Sequence, residues 1–404
     1  MQKLSDIVFL TGVFPKEEEK EILSNSIGAV QNAANVLQWN LINGLDANLS
    51  QPISLLNAQF LGSYPKRYKK LFVKSYSFAH TSGAVDYNVG FCNLSGYKRF
   101  SRRRNINKQV KKWVLSSGGK KTFISYAMTD SSLSAIEKVK RVNPEITTCL
   151  VVPDLPEYMS MSSKKRFVYK FLKKIDGSSL YKKLQYVDHF VVLTRQMADR
   201  LGASSYTVVE GTASDVFNDI DQRVPEYKTI VYAGGLAFKY GVGRLLDAFS
   251  RIDSPEYRLI LCGNGDAESA VKTAAMTDSR IVYKGTIPRS EVLELYRSAS
   301  VLVNPRSNDS EFTKYSFPSK ILEYLSSGVP VVAYKLDGIP SEYDQYINYI
   351  PEDEEESFSK LLQDACEDIG QVYSQRAARA RKFVLTEKSP KNQCKKILDL
   401  LGIE

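Results

Sequence analysis

Ser319, Lys320 and Glu323 lie in the stretch Lys314–Tyr334, KYSFPSKILEYLSSGVPVVAY, and their spacing gathers them on one side of a short helix. Ser319 and Glu323 are four apart and Lys320 and Glu323 three apart, which makes them neighbours on a helical surface. The first turn of a helix carries unpaired amides and the positive end of the dipole, so Ser319 and Lys320 stand where an anion binds. Glu323, one turn further on, is placed to accept hydrogen bonds from hydroxyls attached to that anion. A phosphate followed by a polyol is the order in which a nucleoside diphosphate is read. The alternative use of the same residues is a capped surface helix with a Lys–Glu pair.

The punctuation around these residues sets the helix that carries them. Pro318 suits a first helical turn, because the amide it lacks has no partner there. Gly328 and Pro330 close the helix, and Val331 to Ala333 form an apolar strand of the parallel type. Ile321, Leu322 and Leu325 supply the buried stripe. Immediately upstream, Val301-Leu302-Val303-Asn304-Pro305 reads as a strand ending in a polar loop. Ligands of parallel α/β sheets sit beyond the carboxyl ends of strands.

Other residues with chemical potential also follow strands. Gly234 and Gly235, then Gly241 and Gly243, follow Thr229–Tyr232, and Gly263 and Gly265 follow Arg258–Cys262. Glycines let the main chain approach phosphate oxygens. Lys239 inside the first loop and Arg306 after the fourth strand are candidate phosphate cations, each with a surface role as its rival. Ile287, in the loop after the third strand, is a candidate for holding a base through its backbone. Asp154, in Val151-Val152-Pro153-Asp154-Leu155-Pro156, falls at the carboxyl edge of another sheet, either as a carboxylate base or as the cap of a proline turn. His189 reads as structural; His80, beside Thr81-Ser82-Gly83, is placed to face an acceptor. Gly12, after Ile7–Leu10, permits close backbone approach.

A chain of 404 residues with 43% apolar and 25% charged residues is that of a globular protein of two domains. No run approaches the roughly 18 apolar residues of a membrane span, and Ile7–Leu10 is too short for a signal sequence. Five cysteines without paired spacing point to reduced thiols in a cytosolic protein. Two histidines without a Cys/His cluster argue against a structural zinc site. The net charge of +10 is local: Gln59 to Lys121 holds fifteen Lys/Arg against one acid, Asp86. Lys164–Arg166 and Lys173-Lys174 add to it downstream. Such a segment is a solvated face or, second, a contact for anionic lipid; no nucleic-acid motif accompanies it.

Strands expected at Ile53–Leu56, Leu71–Val73, Thr122–Ser125, Thr148–Val152 and Phe190–Leu193 alternate with helices such as Leu133–Val142 and Gln196–Leu201. A helix is also expected over Ile27–Leu45. Alternation implies a doubly wound parallel sheet. Polarity rises over Asp219–Glu226, which is expected to be the linker, and a second alternating series follows it. Glu352–Glu356 reads as a solvated acidic run, and the residues after about 357 read as helical.

The segments YAGGLAFKYGVGRLLDAF, LILCGNGDAE, IVYKGTIPRSEVLELY, VLVNPR and SFPSKILEYLSSGVPVVAYKLDGIPSEY, in this order, resemble GT-B glycosyltransferases of the family 4 (group 1) type. The resemblance is strongest over 230–345; upstream, VVPDLPEYM, YVDHFVVLTRQMADRL and VVEGTASDVF resemble the end of that fold's first domain. It implies two Rossmann-like doubly wound domains facing a cleft, 1–224 for the acceptor and 225–385 for the nucleotide sugar, with a final helix about 386–404 packing back on the first. Retaining, metal-independent transfer from a UDP-sugar or other nucleotide sugar is implied, with no cofactor beyond that donor. Glu323 matches the ribose-binding glutamate, Ser319 and Lys320 the diphosphate-binding helix start, with Ser316, Pro318 and Ile321 beside them, and Gly12 the first-loop glycine near the donor phosphates. Two positions depart from the pattern. The acid expected ahead of Glu323 falls on Tyr315, with Glu311 the nearest acid upstream. The Arg and Lys of the glycine loop fall on Gly235 and Tyr240, which leaves Lys239, helped by Arg306, to supply the charge.

The chain is therefore expected to be a glycosyltransferase acting on a glycan acceptor, a lipid-linked polysaccharide precursor, at the cytoplasmic face of a membrane, with peripheral contact to anionic lipid. Lys320, Glu323, Lys239 and Asp154 are its candidate catalytic residues. A catalytically inactive sugar-nucleotide-binding or scaffold subunit of the same fold is the alternative. An NAD-dependent enzyme is disfavoured because no GxGxxG follows a strand, and a nucleic-acid binder for want of a motif.

Overall fold

Apolar runs, each closed by a polar or glycine-bearing loop, build two large separate sheets. The computed structural model describes residues 4–28, 30–158, 179–213, 217, 227–351 and 355–404. The expected linker at 219–226, the lysine and arginine pairs at 164–174 and most of the acidic run at 352–356 fall outside the described residues. The chain divides into one unit of Met1–Glu210 with Pro390–Glu404 and a second of Gly211–Ser389.

The first unit holds strands β1 (Ile7–Thr11), β2 (Ser54–Asn57), β3 (Phe72–Val73), β4 (Tyr76–Phe78), β5 (Asp86–Asn88), β6 (Phe91–Cys92), β7 (Thr122–Tyr126), β8 (Thr147–Val152), β9 (His189–Val192) and β10 (Tyr206–Val208). Eight of them form one sheet in the order β10-β9-β8-β7-β1-β2-β5-β4, parallel except for the antiparallel edge pair β4–β5. β1 and β7 are adjacent, and from them the chain winds outward in both directions, which puts a topological switch point at their carboxyl ends. The strands are apolar on both faces, as helices covering both sides require. Leu41 and Leu45 pack on one face, joined by Cys394, Ile397, Leu398 and Leu401 of the Pro390–Leu401 helix.

Two expectations are adjusted here, and one further element appears. The helix expected over Ile27–Leu45 forms but starts only at Asn32 and runs to Asp46; Gly28, with φ +81°, separates it from an earlier helix, Glu19–Asn25, and Ile27 is exposed. The strand expected at Leu71–Val73 forms, shortened to β3, in a two-stranded antiparallel ladder with β6, outside the main sheet. The basic run is a helix, Lys98–Val114, with Ile106, Val110, Trp113 and Val114 buried beneath its charged face.

The second unit holds β11 (Lys228–Ala233), β12 (Tyr257–Cys262), β13 (Ile281–Gly285), β14 (Val301–Asn304), β15 (Val331–Ala333) and β16 (Asn348–Tyr349), ordered β13-β12-β11-β14-β15-β16 and parallel throughout. This is the 3-2-1-4-5-6 order of a dinucleotide-type sheet, with its switch point between β11 and β14. The helix Ser319–Ser327 follows β14. Pro318 precedes it and Gly328, with φ +78°, ends it in the left-handed conformation that glycine adopts at little cost. Ile321, Leu322, Tyr324 and Leu325 are buried, each apolar side chain contributing about 1.5–3 kcal/mol, and Ala380 and Val384 of the Val372–Glu387 helix share their cluster. The residues after 357 are helical but divided, with breaks at Asp368–Gln371 and before Pro390. The five cysteines are free thiols. No helix among the described residues is long and apolar enough to cross a membrane.

Candidate functional site

The glycines of the second unit lock three strand ends together through their main chains. The amide of Gly234 donates to the Cys262 carbonyl (2.9 Å), Leu236 to Asn264 (2.8 Å) and Gly263 to Gly285 (2.7 Å). A methyl group at Gly263, where φ is +128°, would lie 1.8 Å from the Gly234 oxygen, and one at Gly265 would lie 2.0 Å from the Leu236 oxygen. These two glycines therefore first allow loop to meet loop. A Cβ on Gly234 would stand 3.5 Å from Cε of Lys320, so the Lys320 stem runs across the turn after β11.

Lys320 and Glu323 come together as their spacing implies. Lys320 Nζ lies 3.7 Å from Glu323 Oε2 and 3.5 Å from the Tyr296 hydroxyl. Burial holds the ammonium below the usual lysine range, Glu323 works against that and Arg289 adds to it. The Glu323 side chain is 15% exposed and its Oε1 receives Arg289 Nη2 at 2.9 Å. Arg289 is a residue that sequence reasoning missed. It opens the Arg289–Arg297 helix directly after Pro288, and its partner lies in another helix, so no local spacing reports the pair. Ile287 turns its side chain into the core cluster beneath the 319–327 helix. Ser319 is exposed at the helix start, Ile321 is buried and Pro318 occupies the cap position.

Lys239 and Arg306 meet over a shared pair of aromatic rings. Lys239 Nζ lies 5.0 Å from the Tyr240 ring centre and 5.9 Å from that of Phe312; the Arg306 guanidinium lies 5.8 and 4.2 Å from the same two rings. Arg306 Nη2 donates to Ser316 Oγ at 3.0 Å, its Nε is buried without a partner, and burial lowers its pKa. Phe312 was not singled out in the sequence, and Tyr240 was named only as the position where the expected lysine is missing. Gly235 lies against Tyr240, where a Cβ would be 3.1 Å from the ring. Tyr315, at the position of the expected acid, ends a short 3-10 turn that begins at Glu311, which is exposed. Loops after β11 and β14 thus flank the switch point with Lys239, Arg306 and Lys320, a set suited to a diphosphate.

In the first unit, the Gly12 amide is already taken by Gln38 Oε1 (2.8 Å), and the Phe60 ring lies 2.4 Å from where a Cβ would be. Its lack of a side chain admits that ring. Asp154 is exposed in the loop after β8, yet enough protein surrounds its carboxyl to push it up to about 6. Ala127, after β7, has φ +67°, a strained value for a residue with a Cβ. His80 does not face outward: its ring is buried, with Nδ1 2.7 Å from Asp86 and Nε2 2.7 Å from Asp46. His189 bonds Ser205 (2.7 Å) at a strand start. Among the described residues, no three His, Cys, Asp or Glu side chains gather as metal ligands.

Comparison with known proteins adds to this geometry. Residues 227–368 match the family model Glycosyl transferases group 1. A sulfoquinovosyl transferase of Arabidopsis thaliana, SQD2, is 28% identical over 131 residues, which are 32% of this chain and only 22% of that relative. Among solved structures, Anabaena HepE in complex with UDP superposes with a TM-score of 0.62 at 14% identity, over 99% of this chain and 100% of the other. A Burkholderia xenovorans α,α-trehalose-phosphate synthase (UDP-forming) in complex with glucose-6-phosphate gives 0.66 at 10% identity, over 98% and 100%. The fold is GT-B, and the family match lies within its second unit.

Proposed function

We propose, from a GT-B fold whose residues 227–368 match the group 1 glycosyltransferase model, that this protein transfers a sugar from a nucleoside-diphosphate sugar to a glycan acceptor. The observation that carries the reading is the pairing of Lys320 with Glu323 at the start of the 319–327 helix, beside the glycine turn after β11. UDP is the favoured nucleotide, because structural neighbours are described as UDP complexes or UDP-forming. Lys320, Lys239 and Arg306 surround the diphosphate, and Glu323, steadied by Arg289, receives the ribose hydroxyls.

The chemistry follows from the charges. Cleavage of the anomeric C–O bond leaves positive charge on the sugar and negative charge on the departing diphosphate. Fixed cations and helix-start amides stabilise that anion in place of water, and in sites of this kind such preorganised charge usually lowers the barrier more than any other effect. Retention follows if the departing phosphate takes the acceptor's proton on the same face, with the new C–O bond forming as the old one breaks. No protein nucleophile and no metal ion enter this scheme. Asp154, as a base, belongs to an inverting variant.

The acceptor is read as a lipid-linked precursor at the cytoplasmic face of a membrane. The Lys98–Val114 helix carries a basic face, and Leu94, Tyr97 and Phe100 at its start are exposed. Anionic lipid attracts such a segment and takes up its apolar side chains. Co-sedimentation with vesicles that rises with anionic lipid and falls with salt is expected; binding indifferent to both removes this part.

The test of the transferase reading is incubation with UDP-, GDP- and dTDP-sugars, followed by mass-spectrometric detection of the released nucleotide. Turnover of one donor, lost in Lys320→Ala, supports it. Tyr315 in place of the expected acid favours a second reading, a sugar-nucleotide-binding subunit without turnover. Binding of a donor with no hydrolysis or transfer selects that one.

A further inference from the structure

Lys98 and Arg102 sit four apart on the Lys98–Val114 helix and turn toward the loop after β2. Lys98 Nζ donates to the Leu61 carbonyl. Arg102 Nη2 donates to the Ala58 carbonyl (2.5 Å) and Nη1 to Ser131 Oγ (3.3 Å), while its guanidinium lies 4.8 Å from the Phe60 ring centre. Its Nε is buried without a partner. Neither cation has a carboxylate partner among the described residues. The nearby acid, Asp130, is committed to Arg99, Arg103 and Lys183.

Apart from those carbonyls and the Phe60 ring, the surroundings do not favour two cations. Burial presses Lys98 down to about 8, with Arg102 adding its repulsion, and presses Arg102 to about 10. Lys98 is the first residue of its helix, at the positive end of the dipole, with no acid in that turn and no side-chain cap. Ser131, which Arg102 contacts, stands in the first turn of a second helix, Asp130–Val142. That second helix start is capped by Thr129 and carries Asp130; the start of the 98–114 helix has neither a cap nor an acid, and two cations without carboxylate partners meet there. Elsewhere the chain handles buried cations differently. Lys388 has Glu342; Lys121 is held by main-chain carbonyls, as Lys98 and Arg102 are, but by those of Trp113 and Val114 at the negative end of the 98–114 helix. The place also fits a ligand, since the Ala58–Leu61 loop continues β2 at the carboxyl edge of the sheet, beside Gly12.

We propose that Lys98 and Arg102 form an anion site in the first unit for a phosphoryl group, phosphate or diphosphate, carried by the acceptor. Its assignment to the acceptor rests on the transferase reading; the anion site itself does not. A dianion compensates both charges at once. Arg102 retains N–H groups beyond those given to Ala58 and Ser131, and Lys98 retains two of its three donors. The phosphoryl group has two sources, a soluble sugar phosphate or a lipid-linked diphosphate.

The test uses the full chain with UDP held at saturation, so that the second unit is filled, and titrates inorganic pyrophosphate by calorimetry. The expected result is one further anion bound per chain, weakened about tenfold or more by Lys98→Met and by Arg102→Gln. UDP affinity stays unchanged in both variants. Should Arg102→Gln fail to fold, Lys98→Met gives the answer alone, because Lys98 is half-exposed. Equal pyrophosphate affinity in wild type and Lys98→Met, or no second anion at all, overturns the proposal. Failure of UDP to bind would strike the transferase reading while leaving the pyrophosphate arm readable. Titration with a hexose 1-phosphate against a short-chain polyprenyl diphosphate in micelles identifies the source, and binding of neither overturns the acceptor assignment.

Discussion

Replacing Glu323 by alanine separates a ligand role from a structural one. In the free protein the carboxylate pairs with Arg289 at 2.9 Å, but the Arg289 side chain is 55% exposed. Such an ion pair is worth about 0–1 kcal/mol, so the variant loses at most a few degrees of melting temperature. In the complex the same carboxylate accepts from ribose hydroxyls, and a hydrogen bond to a charged group is worth about 1.5–3 kcal/mol. The expected loss of UDP affinity is therefore about tenfold to a hundredfold. Calorimetry with UDP and with 2′,3′-dideoxy-UDP completes a thermodynamic cycle. Wild type should prefer UDP, and Glu323→Ala should bind both nucleotides alike. If the variant still discriminates between them, another group reads the ribose and the reasoning from helix spacing is wrong.

The remaining predictions concern the frame around the site. Gly263→Ala forces a methyl group to within 1.8 Å of the Gly234 oxygen at φ +128°; thermal melts should show destabilisation of about 1–3 kcal/mol, and calorimetry a weaker donor. Gly243→Ala, inside a helix and with only the Phe238 ring at 3.7 Å, should instead gain about 0.5–1 kcal/mol with donor binding intact. His80→Gln tests the buried trio. Burial alone would lower the imidazole pKa, but the hydrogen bonds it donates to Asp46 and Asp86 outweigh it and raise it to about 9. Since the folded value lies above the unfolded one, His80 contributes its stability in full below about pH 6.5 and loses it as pH rises through 9. Denaturant melts from pH 6 to 9.5 should show the wild-type advantage over His80→Gln shrinking; an advantage that grows with pH would contradict the protonated assignment.

The parts of this fold that were legible are those with short-range causes. Val301–Asn304 and Val331–Ala333 are apolar runs buried on both faces, and they form strands at the expected residues. The 319–327 helix is bounded by a proline and a glycine whose backbone preferences admit little else. Ile27–Leu45 misled at its start because apolar spacing continued across Gly28, where φ +81° ends any helix. The Lys98–Val114 helix went unseen because its charges hide a narrow stripe of Ile106, Val110, Trp113 and Val114. Long-range partners had no local signal. Arg289 reaches Glu323 from another helix, Phe60 fills the space beside Gly12, and Asp46 and Asp86 enclose His80. The last helix was legible from Ile397, Leu398 and Leu401, but its stripe does not name the helix Asn32–Asp46 as a neighbour. Lys320 and Glu323 were found because helix spacing alone brings them together.

The central claim is that the tip of the 319–327 helix, through Lys320, holds a nucleoside diphosphate. The direct measurement is the ratio of affinities for UDP and for uridine, in wild type and in Lys320→Ala. Wild type should prefer UDP by about a hundredfold, from one buried charge-assisted contact and the helix end together, and the preference should fall at least tenfold in the variant. An unchanged ratio in Lys320→Ala, or a wild type that binds uridine as well as UDP, would contradict it.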